Sequence, residues 1–143
     1  MPIIWRPQMS LGNALLDADH RYLMCLINTV ELAMRTGAQR AILGVTFDQL
    51  EEYTHEHFRR EEELQIELHY AQYDRHKQAH QDLVARLSSI RKQCEEHAND
   101  AESSGKDFDA LIGLLRSWLI DHVLKEDMLM KPMLAAHAAA HRP

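Results

Sequence analysis

The stretch that decides the fold runs from His57 to His80 and reads HFRREEELQIELHYAQYDRHKQAH. It begins with His57 four residues before Glu61 and ends with His76 four residues before His80. Residues four apart lie on the same face of an α-helix, so each pair projects its two side chains in one direction. Residues 69–73 are predicted to connect the two helices. The stretch therefore predicts a helical hairpin that directs polar side chains toward a common interior.

Apolar residues recur at helical spacing on both sides of this hairpin. The four predicted helices run from Asp17 to Arg35, from Gln39 to Leu68, from Asp74 to His97 and from Asp107 to about Met130. Asp17 is a favourable N-cap residue, and Thr36-Gly37 supplies a stop signal. Pro132 is expected to end the last helix, and residues 99–106, NDAESSGK, are expected to form a loop. Short connections predict an all-α fold, an antiparallel up-down-up-down four-helix bundle with an N-terminal arm.

The helical periodicity also predicts which residues face the interior. They are Leu23, Leu26, Ile27, Val30, Ala33 and Met34 on the first helix, Ile42, Val45, Leu50, Tyr53, Phe58 and Leu64 on the second, and Leu83, Val84, Leu87 and Ile90 on the third. A length of 143 residues suits a single domain. We expect residues 1–15 to form the arm, anchored by Trp5, residues 17–131 to form the bundle, and 132–143 to form a tail. Residues 135–140 of that tail are expected to add a helical turn.

Composition narrows the classes of partner. The net charge of −6 argues against nucleic acid and against an anionic membrane surface, since both attract a basic face. No run approaches the roughly 18 unbroken apolar residues of a membrane span. The first ten residues, MPIIWRPQMS, are too short and interrupted for a signal peptide. Cys25 and Cys94 form no motif and are expected to be reduced thiols, so we expect a cytoplasmic protein.

Histidines and carboxylates lie on the predicted inward stripes of all four helices. A lone inward histidine is more often a hydrogen-bonded core residue than a metal ligand. A bundle that buried several imidazoles and carboxylates together without a metal would, however, face a large desolvation cost. Imidazole and carboxylate without thiolate suit iron or a similar transition metal. The remaining histidines, expected at the surface, are His55, His69, His97, His137 and His141.

Helical spacing alone does not decide which carboxylate of the last helix faces the interior. Glu126 follows His122 by four residues and Asp127 follows it by five. On a regular helix five residues separate two side chains by about 140°, so spacing favours Glu126. A local wide turn such as a π-bulge would instead bring Asp127 beside His122, and such bulges are frequent at functional sites.

The ordered motifs HxxxE, HxxxH and HxxxxD, preceded by one lone histidine, resemble the hemerythrin family from about Met9 to Lys131. The resemblance selects Asp127 and implies a non-haem di-iron centre with an oxo or hydroxo bridge. Its implied ligands are His20, His57, Glu61, His76, His80, His122 and Asp127. Three of the histidines, His76, His80 and His122, would saturate one iron. His20 and His57 would hold the other iron, with Glu61 and Asp127 bridging the two.

The resemblance implies reversible dioxygen binding in a carrier, store or sensor that is not an enzyme. Two octahedral irons offer twelve positions, of which five histidines, two bridging carboxylates and one bridging oxygen fill eleven. Dioxygen, held as hydroperoxide, would take the open position on the iron of His20 and His57, and azide or nitric oxide could also bind there. Five imidazoles and two carboxylates form a set poorer in anionic oxygen than that of the ferritin-like di-iron proteins. By resemblance the apolar oxygen pocket comprises Leu23, Phe58, Trp118, Leu119 and Val123.

Two other functions remain open at this point. One is a di-iron enzyme acting on nitric oxide or peroxide, and the other is an oxygen-sensing module that works through a separate protein partner. The chain also departs from the family pattern, because Asp19 stands where bacterial members typically carry Gln and Ala71 where they often carry Pro. Neither position is a ligand, but Asp19 is expected to alter the charge or hydrogen bonding near His20.

Overall fold

The structure is a computed structural model that describes residues 2–37, 40–97 and 101–140. Its helices are α1 (Ala14–Arg35), α2 (Arg40–Glu67), α3 (Tyr73–Glu96) and α4 (Ala101–Ser117), followed by a π-helical segment (Trp118–Glu126), a 3₁₀ turn (Asp127–Met130) and α5 (Lys131–Ala140). Contacts join α1 to α2, α2 to α3, α3 to α4 and α4 to α1. Four helices in this closed arrangement form an antiparallel bundle, so the predicted all-α four-helix fold is confirmed.

The first helix begins earlier than the sequence predicted. Its N-cap is Asn13, whose side-chain oxygen accepts the backbone N–H of Leu16 at 3.0 Å. Asp17 was predicted as the cap, but it lies inside the first turn, where its carboxylate accepts the Ser10 hydroxyl and the Leu11 backbone N–H. An acidic residue in the first turn is also favoured by the helix dipole. Asp17 therefore fastens the preceding arm to α1 instead of capping the helix.

The N-terminal arm lies along α1 and packs against the core. The backbone N–H and carbonyl of Ile3 both pair with the Asn28 side-chain amide at 2.8 Å. The Trp5 ring packs against the hydrophobic core and lies 4.8 Å from the Arg21 guanidinium carbon, a cation–π contact. Trp5 is thus an anchor of the arm, as the sequence predicted.

The prediction of a loop over residues 99–106 is wrong for residues 101–106, the part that the structure describes. Residues 99 and 100 lie outside the described part of the chain, but α4 begins at Ala101 and runs through Gly105 and Lys106. Alanine, glutamate and lysine are good helix formers, and one exposed glycine costs only about 1 kcal/mol relative to alanine. The small polar residues of this segment therefore form the start of a helix.

Pro132 does not end the helical region. It is the second residue of α5, which extends from Lys131 to Ala140 and includes the residues predicted to form a helical turn in the tail. Proline is tolerated in the first turn because its missing N–H has no intrahelical partner there. The chain therefore continues as helix beyond the expected stop.

The core follows the predicted faces of the first and third helices and departs from the predicted face of the second at the start of α2. Leu23, Ile27 and Val30 of α1 are fully buried, but Ile42 and Val45 of α2 are 52% and 57% exposed. Leu50 of α2 is buried as predicted, and Phe47, which was not predicted, also enters the core. The other buried members of this main cluster are Met24, Leu26, Phe58, Leu87, Leu111, Leu114, Leu115, Trp118 and Val123. A smaller cluster comprises Leu11, Leu16, Met130 and Leu134. Within the described ranges, no helix is long and apolar enough to cross a membrane.

Candidate metal centre

The π-helical segment determines which carboxylate of the last helix points inward. The backbone N–H of Asp127 donates to the carbonyl of His122, five residues earlier, so the turn is wider than in an α-helix. The Asp127 side chain is fully buried, and its Oδ1 lies 3.0 Å from His122 Nε2. Glu126 lies nearer the surface, where it contacts Arg75 at 3.4 Å. The structure thus contains the wide turn that the HxxxxD spacing required, and it separates the two candidate carboxylates.

The helical hairpin brings its two polar pairs together around Glu61. On α2, His57 Nε2 lies 3.2 Å from Glu61 Oε2. From α3, His76 Nε2 and His80 Nε2 both approach the other oxygen, Oε1, the latter at 3.2 Å. The two oxygens of one buried carboxylate therefore face histidines of two different helices.

Asp127 repeats this arrangement from the opposite side of the bundle. Its Oδ2 lies 3.0 Å from Nε2 of His20, the lone histidine of α1, and its Oδ1 lies 3.0 Å from His76 Nε2. The seven residues thus form two overlapping groups. One comprises Glu61, His76, His80, His122 and Asp127, and the other comprises His20, His57, Glu61 and Asp127. Within each group the potential ligand atoms all lie within 4.8 Å of one another.

The donor set fits metal ions because its polar atoms are buried without hydrogen-bond partners. Within the described residues, both ring nitrogens of His20, both oxygens of Glu61 and both oxygens of Asp127 are buried and accept or donate no hydrogen bond. The same holds for Nε2 of His76 and Nδ1 of His80. Orphaned buried polar atoms are rare in folded proteins and costly. Cations bound between these nitrogens and oxygens would supply the missing partners.

The electrostatics of the cluster are those of a cation site. Burial disfavours protonation of His20, but the nearby carboxylates of Asp127 and Glu61 raise its pKa to about 9. The same carboxylates outweigh burial at His76 and raise its pKa to about 10, whereas burial lowers the pKa of His80 to about 4. Burial alone would raise the pKa of Glu61, yet the surrounding histidines lower it well below its usual value. The carboxylates are therefore anionic, and a metal would displace protons from His20 and His76.

Asp19 contacts a different histidine from the one that the sequence suggested. Its Oδ2 lies 3.0 Å from Nδ1 of His57, not beside the neighbouring His20. The same carboxylate accepts hydrogen bonds from Tyr53 and Arg60. The sequence contained a partial signal for this contact, because Tyr53, His57 and Arg60 recur at helical spacing on one face of α2.

The predicted apolar neighbours lie around the cluster, although not all where expected. Leu23, Phe58, Trp118 and Val123 are buried, whereas the side chain of Leu119 lies outside the described part of the structure. The Phe58 ring stacks on His80, with centroids 3.7 Å apart, and is 5.7 Å from His57. Phe58 was expected at the His20 and His57 side, but its closest ring contact is with the other group.

A small apolar cavity adjoins His20. The residues that line it are Trp5, Met9, His20, Met24, Ile120, Val123 and Leu124. Sequence reasoning identified only Val123 of the apolar residues here as a neighbour of the site. It missed Trp5 and Met9 because a helical period carries no information about where an irregular arm lies.

The other histidines divide as the pattern suggested, with one exception. His55, His69 and His97 are exposed, and His97 pairs with Asp107 at 2.7 Å. His137 was predicted to be fully solvated but is half-buried on α5. This helix packs through Leu134 against Leu11 and Leu16. His141 lies outside the described residues.

A four-helix bundle with paired histidines and shared carboxylates at its centre defines a class of bundle proteins that bind metal ions between facing helices. The sequence profile of the hemerythrin HHE cation-binding domain matches residues 11–134. The chain therefore belongs to the hemerythrin family of cation-binding proteins.

Similar proteins carry the same family name. The chain is 29% identical over 136 residues to a bacteriohemerythrin of Stenotrophomonas maltophilia, covering 94% of this chain and 83% of the relative. It is 31% identical over 120 residues to a bacteriohemerythrin of Methylococcus capsulatus, covering 84% and 86% respectively. A hemerythrin-like protein of Naegleria gruberi is 26% identical over 133 residues, covering 93% and 94%. No solved structure matches the chain significantly.

Proposed function

We propose that this protein is a non-haem di-iron protein that binds dioxygen reversibly, as a carrier, store or sensor, and that it is not an enzyme. The observation that carries the proposal is the pair of overlapping buried groups of ligand atoms that share Glu61 and Asp127. Two metal ions side by side need such shared carboxylates, whereas a single ion would leave part of the set without a role. Membership of the hemerythrin family and the relatives named bacteriohemerythrin support the same function.

The ligand assignment follows from the direction of each carboxylate oxygen. Glu61 Oε2 faces His57, and Asp127 Oδ2 faces His20, so these four residues would hold one ion. The opposite oxygens, Glu61 Oε1 and Asp127 Oδ1, face His76 on α3. His76, His80 and His122 would hold the second ion, with both carboxylates bridging.

We propose iron as the metal, because the donors suit it and the hemerythrin resemblance implies a di-iron centre. Imidazole and carboxylate without cysteine suit first-row metals that accept nitrogen and oxygen ligands. Bound there, two iron ions would supply the electrons and the open coordination position that reversible dioxygen binding requires. The site has two histidines on one side and three on the other, so an open coordination position would lie on the side of His20 and His57.

The protein's own contribution is to keep this position dry. Leu23, Phe58, Trp118, Leu119 and Val123 are the proposed apolar pocket. Apolar side chains exclude water and proton donors from a metal site and so protect a bound small molecule from protonation. The set of five imidazoles and two carboxylates also lacks the oxygen-rich ligands of the ferritin-like di-iron proteins, which favours binding over oxidation.

The experiment is anaerobic loading of the protein with Fe²⁺, metal analysis, and absorption spectra through cycles of oxygen addition and removal. We expect about two irons per chain and a visible charge-transfer band that appears with oxygen and disappears under argon. The Glu61→Ala variant is the matched control, since it keeps the apolar pocket and removes a shared carboxylate. Azide and nitric oxide, as small ligands of the same position, should prevent the band from forming.

Three results would contradict the proposal. A single zinc ion at saturation would exclude a di-iron centre. An oxygen band that decays within one cycle, with steady consumption of oxygen, peroxide or nitric oxide by a reductant, would indicate an enzyme. Iron binding without an oxygen-dependent band would leave a structural metal.

A further inference from the structure

Asp19 is a buried carboxylate that receives four hydrogen bonds. It is 2% exposed. Its Oδ1 accepts the Tyr53 hydroxyl at 2.7 Å and Arg60 Nη2 at 2.8 Å, and its Oδ2 accepts Arg60 Nε at 2.9 Å and lies 3.0 Å from His57 Nδ1. Both oxygens are therefore used by four donor atoms, which belong to three side chains of α2, and one of these, His57, is also a proposed metal ligand.

These contacts fix the ring of His57 at both nitrogens. Nδ1 is held by Asp19, and Nε2 faces Glu61 at 3.2 Å inside the cluster. A carboxylate at Nδ1 requires the proton to be there, which leaves the lone pair of Nε2 free to bind a metal. Rotating the ring would break the bond to Asp19, so its orientation is set before any metal binds.

Two of the other buried histidines, His20 and His80, lack such a partner among the described residues. In the described ranges, Nδ1 of His20 and Nδ1 of His80 are buried without a hydrogen bond. Glu62 approaches His80 Nδ1 only to 3.8 Å. His57 is thus distinguished from His20, with which it shares one side of the centre.

Arg60 offsets the free-energy cost of burying the Asp19 carboxylate. Its guanidinium forms two bonds to Asp19, and its side chain is 21% exposed, so the positive charge reaches solvent while it neutralises the negative one. Arg60 also lies over the Tyr53 ring at 5.3 Å. The pair joins α1 to α2 directly beside His57.

We propose that Asp19, held by Arg60 and Tyr53, is a positioning residue that orients His57 and strengthens it as a metal ligand on the side of the centre that has only two histidines. This inference rests on the proposed di-iron function. A histidine that donates its second N–H to a carboxylate is a more basic ligand, and losing such a partner typically weakens metal binding about 10–100-fold. The effect falls on one ion, because no contact in the described part of the chain joins Asp19 to His76, His80 or His122, the three histidines proposed to hold the other ion.

The test compares iron release from matched variants. Asp19→Leu removes the acceptor at similar size, and Asp19→Asn keeps one acceptor for His57. Glu31 offers the control because it is another buried α1 carboxylate, 4% exposed and bonded to Arg35 and Arg116. Its variants Glu31→Met and Glu31→Gln remove or neutralise a buried carboxylate elsewhere in the bundle.

The proteins are loaded with iron, and its transfer to a chelator is followed with time. We expect Asp19→Leu to release its first iron about 10–100-fold faster than the parent and its second iron within about twofold of the parent rate. Asp19→Asn should lie between the two. The charge-transfer band of the ferric azide adduct should shift in Asp19→Leu and stay in place in both Glu31 variants, even if all variants melt at lower temperature.

Equal acceleration in the Asp19 and Glu31 variants, or release of both irons from Asp19→Leu at the parent rate, would overturn the positioning role. If Asp19→Leu does not fold, Asp19→Asn against Glu31→Gln decides in the same way. If the parent protein binds iron but forms no oxygen band, the proposed function is wrong. The iron release rates would still decide the role of Asp19. A parent that binds no iron overturns both.

Discussion

Two buried clusters of charged residues lie in the same bundle, and they differ in whether their carboxylates have hydrogen-bond donors. At one, Glu31 of α1 accepts hydrogen bonds from Arg35 and from Arg116 of α4, with the shortest at 2.9 Å in each case. At the other, the oxygens of Glu61 and Asp127 are buried among histidines and accept no hydrogen bond from the described residues. The first cluster needs nothing more to be stable, whereas the second has the composition of a cluster that is completed by cations.

Removing the metal should have the largest effect on stability, because it affects the whole central cluster and leaves the Glu31 cluster unchanged. We expect iron to raise the free energy of unfolding by about 4 kcal/mol or more when free metal is about a thousandfold above its dissociation constant. Melting curves of the metal-free and iron-loaded protein under argon measure it. The Glu31→Gln variant should show the same gain, since its altered cluster does not contact the centre. Identical curves with and without iron would mean that the central cluster is complete without metal.

Substitution of a shared ligand should have the next largest effect. Glu61→Ala removes a carboxylate that faces both groups of histidines, whereas His57→Ala removes a ligand of one group only. We therefore expect Glu61→Ala to lose both irons and the thermal stabilisation that they bring, and His57→Ala to keep part of each. Iron analysis and melting temperatures compare the two. A Glu61→Ala variant with two irons and the parent's melting temperature would exclude the bridging assignment.

The π-helical segment allows a sharper comparison between adjacent carboxylates. Asp127→Ala should halve or abolish iron content and destabilise the loaded protein by several kcal/mol, because a buried bridging ligand is lost. Glu126→Ala removes a 29% exposed side chain that contacts Arg75, so we expect a change within about half a kcal/mol. The reverse order would place the bridging carboxylate at Glu126. Iron content and unfolding curves on both variants distinguish these outcomes.

Glu31 should give the smallest effect that is still measurable, and it should depend on pH. Burial alone would raise its pKa, but Arg35 and Arg116 lower it below the usual 4.5. Its contribution is therefore present above pH 4.5 and is lost as the pH falls through the lower folded-state pKa. We expect Glu31→Gln to cost about 1–2 kcal/mol at neutral pH, with the difference from the parent shrinking in acid and iron content unchanged. Urea unfolding at several pH values measures this, and a pH-independent difference would exclude the charge as its cause.

The fold and much of the central cluster could be predicted because both follow from the spacing of residues along each helix. His57 and Glu61, like His76 and His80, are four residues apart, and a face of a helix is a local property of the chain. Asp127 required the family resemblance, since regular geometry favoured Glu126. The resemblance was useful there because it records a departure from regular geometry that no single-helix pattern contains.

What could not be predicted depends on contacts between distant segments. Asp19 is adjacent to His20 in sequence but bonds His57, which is 38 residues away. Neighbours along a helix point about 100° apart, so Asp19 faces α2 while His20 faces the interior. Likewise, the apolar Ile42 and Val45 fit a helical stripe, but that stripe lies on the solvent side at the start of α2. Periodicity gives the relative phase of residues within a helix and not its absolute rotation in the bundle.

The π-helical segment has a consequence for how the chain length of this region can change. Because Asp127 bonds back to His122 over five residues, the interval holds one residue more than a regular α-helical turn would need. A chain one residue shorter between them would place the aspartate four residues after the histidine and could keep both side chains inward with ordinary geometry. Any further insertion or deletion would rotate one of them away. This segment therefore tolerates few changes in length. A single-residue gap at this point in a relative would mark a change in helix type and not the loss of a ligand.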